Sequence, residues 1–314
     1  MSRSGIVTNV PEHTPLVACF GEGLIALVPT STGPLEDVRT FERSLAGAEW
    51  NVAIALASAH TPSAVISRLG DDGFGRFLLS ALDEHGVDTS AIEIDPTAPT
   101  GLYVKELGPA TQGVLASSMH YYRAMSAATR ITPALLETPA VQRVLAKARL
   151  VHTTGITPAI SDGARAAQDA LFAERGDRLI SFDLNWRPML WEGREDEARE
   201  VLGGYMARAD IVQCSSSDAA ALFGTSDAAA LRAAFPAPRY LVVTREDGSV
   251  AFDGAERVDA PALDATVVET IGAGDAFAAG FLAGVLAGLS LAGCVARAHR
   301  LATRVLGTTR DHVD

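Results

Sequence analysis

Val268-Glu269-Thr270-Ile271-Gly272-Ala273-Gly274-Asp275-Ala276-Phe277 runs directly into Ala278-Ala279-Gly280-Phe281-Leu282-Ala283-Gly284, a series of small and apolar residues. This order reads as a strand end, a tight turn and the first turn of a buried helix. Glycines let the backbone approach a ligand, and the free N–H groups of a helix start point at it. Such a place attracts anions, phosphate above all. A carboxylate there repels phosphate unless it has a task, and two readings stand open. Asp275 is either an ordinary N-cap, or it takes a proton from a hydroxyl while the amides of Gly272, Ala273 and Gly274 hold the phosphoryl group that this hydroxyl attacks.

The rest of the chain sets the frame. Its 314 residues, 48% hydrophobic and 20% charged, are enough for a large core in one big domain or one domain with an appendage. The net charge of -12, with no basic run, argues against nucleic acid or an anionic membrane as partner. Cys19, Cys214 and Cys294 lie far apart without metal spacing, which suits reduced, buried thiols. Met1 to Pro15 is polar and lacks the apolar core of a signal peptide, and no apolar segment is long enough for a bilayer. The expectation is a cytoplasmic protein.

Working outward from the glycine turn, Leu16 to Phe20 reads as a buried strand ended by Gly21-Glu22-Gly23. Leu24 to Leu45 is broken by Pro29, Gly33 and Pro34. Val52 to Ala57 is a helix apolar almost all round, and Ala64 to Ser67 is a strand. Gly101 to Leu107 and Val114 to Arg123 read as a hairpin. Beyond it strands and helices alternate, including a helix over Pro133 to Lys147 capped by Thr132. Repeated β-then-α units predict an α/β fold, a doubly wound and mostly parallel sheet with helices on both faces. The β-rich stretches near 24–45 and 100–123 are expected to project together as a small sheet; by residue bounds the core is expected over 14–29, 46–97 and 127–314, and the small β-sheet lid over 30–45 and 98–126. Ligands in such folds sit at the carboxyl ends of the strands, where Gly21, Asp183, Ser215 and Asp275 fall.

Two stretches carry a resemblance. Ala46-Gly47-Ala48-Glu49-Trp50-Asn51-Val52-Ala53 is similar to the first signature of the PfkB (ribokinase-like) sugar kinases, and Glu269-Thr270-Ile271-Gly272-Ala273-Gly274-Asp275 to the second. Both occur in the right order and at suitable separation. Tyr121-Tyr122-Arg123-Ala124-Met125-Ser126-Ala127-Ala128 and Asp183-Leu184-Asn185-Trp186-Arg187-Pro188-Met189-Leu190-Trp191 resemble pieces typical of 2-keto-3-deoxygluconate kinases, the latter pattern shared with fructokinase-like relatives.

The resemblance implies an ATP-dependent, Mg²⁺-requiring kinase that phosphorylates a terminal hydroxyl of an acid sugar. Arginine's planar fork suits a carboxylate, which makes Arg123 and Arg187 the expected carboxylate ligands. Gly47, Asn51, Tyr103 and Tyr121 would contact the rest of the sugar. Ser215, Thr244, Gly248, Gly272 and Gly274 would face the nucleotide, with Asp218 and Glu269 acting indirectly on the metal. The chain departs from the family pattern at Ser215, Asp218, Glu246 and Glu269, which bears on nucleotide and cation binding. A neutral-sugar (fructokinase-like) kinase and a non-catalytic sugar- or nucleotide-binding relative remain the rival readings. His152, Trp50, Trp186, Trp191 and Cys214 read as packing residues, and one of Tyr121 and Tyr122 as part of the lid core. The lid sheets are expected to pair two subunits into a homodimer or a higher homo-oligomer.

Overall fold

A computed structural model describes residues 16–111, 114–264 and 271–306, with the side chains of 109–116 outside the description. In chain order the strands are β1 (Leu16–Phe20), β2 (Leu24–Pro29), β3 (Phe41–Ala46), β4 (Ser63–Gly70), β5 (Asp88–Asp95), β6 (Leu102–Thr111), β7 (Val114–Tyr122), β8 (Ala148–Thr154), β9 (Leu179–Asp183), β10 (Ile211–Ser215), β11 (Tyr240–Arg245), β12 (Gly248–Asp253) and β13 (Glu256–Pro261). Nine of them form one sheet in the order β13-β12-β11-β10-β9-β8-β1-β4-β5. It is parallel except for β12 and β13, which add antiparallel pairs at one edge. The chain winds from β1 toward β5 and then returns through β8 toward β11. The order therefore reverses between β1 and β8, and the crevice at that switch is where such a sheet binds ligands.

Both faces of the large sheet are covered. One carries the helices Pro139–Lys147, Asp162–Ala173 and Glu195–Arg208, packed over Phe20, Ile66, Phe182 and Val212. The other carries Ala48–Ser58, Gly73–Glu84, Ala273–Leu286 and Leu291–Leu306, packed over Val17, Cys19, Val65 and Val242. Ala48–Ser58 and Ala273–Leu286 have apolar residues all round because neighbours surround them. A helix apolar on every side is stable only when buried. Their mutual packing sets Asn51, in the first turn of one, against Asp275, in the first turn of the other. A large apolar side chain such as Phe281, fully buried here, contributes about 1.5–3 kcal/mol by leaving water.

The remaining strands form a smaller sheet in the order β3-β2-β6-β7. Strand β2 belongs to this sheet, pairing antiparallel with β3 and parallel with β6, whereas the sequence reading assigned residues up to 29 to the core. Both strands of the β-rich stretch near 24–45 lie in the small sheet, as expected of it, so the core boundary falls at the β1–β2 turn and not at 29. The turn Gly21-Glu22-Gly23 makes that change. The expected helix Pro133 to Lys147 is two helices, Pro133–Leu136 and Pro139–Lys147. Pro139 lacks the N–H that would continue the first, and Thr138 caps the second by accepting from Val141 N–H. Thr132 stands before the first helix without a side-chain cap bond.

Candidate active site

Gly272 has φ +79°, the left-handed conformation that glycine adopts without strain, and it is the N-cap of the helix Ala273–Leu286. Asp275 is therefore the third helical residue, and the N-cap reading does not hold. Its Oδ2 accepts from Asn51 Nδ2 at 2.8 Å. Burial raises its carboxyl well above the usual carboxylate range, against the Asn51 hydrogen bond that lowers it. Gly274 is exposed, and a side chain added there would meet nothing within 4 Å. Neither packing nor backbone conformation requires glycine at that position. The free space lies beside the amides at the helix start, a cradle that fits a phosphate group.

These residues border a cavity of about 1040 Å³. Ligand sites usually hold about 300–1,000 Å³, so there is room for two small molecules side by side. Gly47, Asn51, Tyr103, Tyr121, Arg123, Arg187, Ser215, Asp218, Thr244, Gly272, Gly274 and Asp275 all line it. Gly248 does not. It sits at the β11–β12 turn, where a side chain would strike the Ala260 carbonyl oxygen at 2.1 Å, and this packing explains the glycine. Ala273 is also outside the lining and serves to start the helix. Glu269 falls outside the described residues.

Three acidic positions that the sequence reading left out of its site line the same cavity: Glu22, Glu49 and Asp183. Glu49 stands at the β1–β8 switch, 1% exposed, and accepts from Thr154 N–H at 3.2 Å, Thr154 Oγ1 at 2.8 Å and Thr157 Oγ1 at 3.0 Å. Burial pushes its carboxyl up to about 7, with these hydrogen bonds pulling the other way. Asp183, at the end of β9, is also raised to about 7, by burial first and then by the charge of Asp218. Burial raises Asp218 as well. Arg187 lowers Asp183, Asp218 and Asp275 alike, so its guanidinium is the cation shared by three carboxylates. Arg187 itself is exposed and donates Nη1–H to the Trp186 carbonyl at 3.1 Å.

Between Asp183 and Arg187, Asn185 adopts φ +40°, and its Oδ1 is buried without a partner. Its backbone N–H and side-chain amide both donate to Asp183, at 3.3 and 3.4 Å. Ser215 caps the helix Ser216–Phe223 by accepting from Asp218 N–H at 3.0 Å, and Asp218 Oδ2 accepts from Trp186 N–H at 3.3 Å. Thr244 donates to the Cys214 carbonyl at 3.4 Å.

The opposite wall belongs to the small sheet. Tyr103 and Tyr121 are cross-strand partners whose rings lie 5.4 Å apart, packed with Leu24 and Met119. Tyr122, the next residue, points away and is 65% exposed, so Tyr121 is the one in the lid core. Arg123 lies with its guanidinium over the Tyr121 ring, 4.4 Å from the centroid, and donates Nη1–H to Glu22 Oε2 at 2.7 Å. Gly47 has φ +133°, and a side chain there would strike the Glu22 carbonyl oxygen at 2.4 Å. That glycine lets the two chain crossings between the sheets touch.

The residues read as packing are buried, though Trp186 and Cys214 also line the cavity. His152 is fully buried, paired through Nδ1 with Ser181 Oγ at 3.0 Å, and burial lowers its pKa to about 3, which keeps it neutral. Trp50, Trp186 and Trp191 are buried, and burial raises the Cys214 thiol.

The sequence pattern of the pfkB family carbohydrate kinases matches residues 14–311. The chain is 34% identical over 279 residues to the 2-dehydro-3-deoxygluconokinase of Thermoproteus tenax, covering 87% of this chain and 82% of that one. It is 33% identical over 279 residues to Fructokinase-1 of Oryza sativa subsp. japonica, covering 86% and 83%. The crystal structure of an uncharacterized sugar kinase from Pyrococcus horikoshii in complex with ATP superposes with a TM-score of 0.82 at 28% identity, over 94% of this chain and 93% of that one. With a matched pattern over nearly its whole length and a large sheet, small sheet and glycine turn to correspond, this chain belongs to the pfkB family of carbohydrate kinases.

Proposed function

We propose that the chain is an ATP-dependent kinase acting on a terminal hydroxyl of an acid sugar, 2-keto-3-deoxygluconate (2-dehydro-3-deoxygluconate) or a close relative. The observation that carries this reading is that Arg123 and Arg187 line one cavity with Asp275. An acid sugar spanning that cavity offers a carboxylate to Arg123 on the small-sheet wall and a hydroxyl to Asp275 on the other side, with Arg187 placed among the acidic groups near Asp275. The likeness to the Thermoproteus tenax enzyme supports the same substrate class.

The sugar hydroxyl oxygen attacks the γ-phosphorus of ATP and its proton passes to the Asp275 carboxylate. The bond from the γ-phosphorus to the bridging oxygen breaks, and its electron pair leaves on ADP. The amides at the start of Ala273–Leu286 hold the phosphoryl oxygens, and the space beside Gly274 accommodates them. Asn51 holds the base in place. Asp183 and Asp218 are two oxygen donors whose negative charges oppose each other. That set fits Mg²⁺, which takes one or two carboxylates together with waters and substrate phosphates. Bound there, Mg²⁺ would offset charge on the transferring phosphoryl group.

One observation favours a neutral sugar instead. Glu22 already partners Arg123, so the small-sheet wall carries no net charge from this pair. A coupled ADP-release assay across acid and neutral sugars separates the two readings. The expected result is the highest kcat/KM on the acid sugar, and a preference for fructose would overturn it.

A further inference from the structure

Glu22 is 2% exposed and sits on the turn that carries the chain from β1 in the large sheet to β2 in the small one. Its segment is fastened to the large sheet, since Gly21 N–H donates to the Ile66 carbonyl at 3.3 Å and the Glu22 carbonyl abuts Gly47. Its carboxylate reaches across the joint to the end of β7, where it accepts from Arg123 Nη1 and, at 3.3 Å, from Ser126 Oγ. A buried ion pair is weak evidence for stability, because desolvating two charges offsets most of their attraction. This pair therefore needs another explanation.

Arginine carries five N–H donors in a fixed plane. Glu22 engages one of them, and the Tyr121 ring covers a face of the guanidinium. Two contacts, one from the β1–β2 turn and one from β7, thus fix its position and its plane, and its other donors remain for a ligand in the cavity it lines. We propose that Glu22 is a positioning residue that aims Arg123 at the substrate carboxylate and thereby sets the preference for acid over neutral sugars. This rests on the acid-sugar reading above. In it, Glu22 does not silence Arg123 but holds it in the one arrangement in which a second anion can share the guanidinium.

The test measures KM for acid sugar, neutral sugar and ATP in Glu22→Ala, Glu22→Gln, Arg123→Ala and the double variant Glu22→Ala/Arg123→Ala. A lost charge-assisted contact predicts a rise of about tenfold in acid-sugar KM for Glu22→Ala. Glutamine keeps an acceptor without its charge, and such a bond is about half as strong, so Glu22→Gln should raise it about threefold. KM for ATP and for neutral sugar, and kcat, should stay within about twofold of wild type, by the usual tolerance for sites that do not couple. The double variant should be no worse than Arg123→Ala alone, because both act on one contact. If Glu22→Ala is not recovered folded, Glu22→Gln decides by the same split between acid sugar and ATP. Arg123→Ala raising acid-sugar KM while neither Glu22 variant does would overturn the proposal and leave the acid-sugar reading intact. Equal losses for all three ligands would mark Glu22 as a plain structural residue. An Arg123→Ala variant that treats acid and neutral sugars alike would remove the acid-sugar reading, and this proposal with it.

Discussion

The two ends of the cavity are made of different material. At the Gly272–Asp275 end the cavity wall includes exposed backbone, a left-handed glycine and a helix start, beside one carboxylate held by an amide. At the small-sheet end it is side chains: two tyrosines, an arginine and the glutamate that holds it. Backbone amides at a helix start bind any phosphate and cannot be changed without changing the fold. Side chains on a sheet can be exchanged one at a time. The difference suggests why one family includes a 2-dehydro-3-deoxygluconokinase and a fructokinase that are 34% and 33% identical to this chain. On the proposed function, the reaction rests on the helix start and the choice of sugar on replaceable groups.

Four experiments break or sharpen that contrast. The largest effect belongs to Asp275→Asn, which keeps shape but removes the base; turnover should fall by about 10²–10⁴ with sugar KM little changed. Retention of more than about a tenth of the turnover, far from that range, ends its assignment as base. Next comes Arg187→Ala, for which acid-sugar KM should rise about ten- to a hundredfold, as for one lost charge-assisted pair. Neutral sugars should lose little further, and a uniform loss would show that Arg187 serves the carboxylates around it instead of the substrate. Third, Gly274→Val places a side chain in open space, so folding should survive while ATP KM rises by roughly tenfold, about one phosphate contact. Unchanged ATP kinetics would remove the phosphate from that spot.

The fourth experiment concerns Glu49 and is read in stability instead of kinetics. Its folded-state value of about 7 lies above the ordinary 4.5. Its contribution is therefore fully present below about pH 4.5 and is lost as pH rises through 7, at about 1.4 kcal/mol per pH unit between the two values. Glu49→Gln does not titrate, so its Tm relative to wild type should improve from pH 5 to pH 8. Parallel Tm curves over that range would show that Glu49 ionises as freely in the folded protein as outside it.

The glycine turn and its helix were legible in the sequence because their signals are local: two glycines, a carboxylate and an apolar helix within a short run. The large sheet was legible for the same reason, through the repeated strand-then-helix pattern. What escaped depends on contacts between distant segments. Glu22 read as a turn residue because its partners, Arg123 and Ser126, come about a hundred positions later. Glu49 read as part of a motif, although a single carboxylate entering an otherwise apolar helix was a sign of a buried acceptor. Gly248 was assigned to the nucleotide for a glycine that β13 requires. The small sheet was expected near 24–45, but the core boundary at 29 fell past the true change of sheet at Gly21-Glu22-Gly23, because β2 is as apolar as the strand before it.

The bond between Asn51 and Asp275 joins residues 224 positions apart. A ribosome adding roughly 5–20 residues per second makes Asn51 on the order of ten to forty-five seconds before its partner. During that interval Ala48–Ser58, apolar on every side, has no Ala273–Leu286 to lie against. The nascent chain must therefore shield an unfinished core until its last helices emerge. Truncation before residue 275 should yield a protein that is inactive and aggregation-prone, because the segment that completes the site also closes the core.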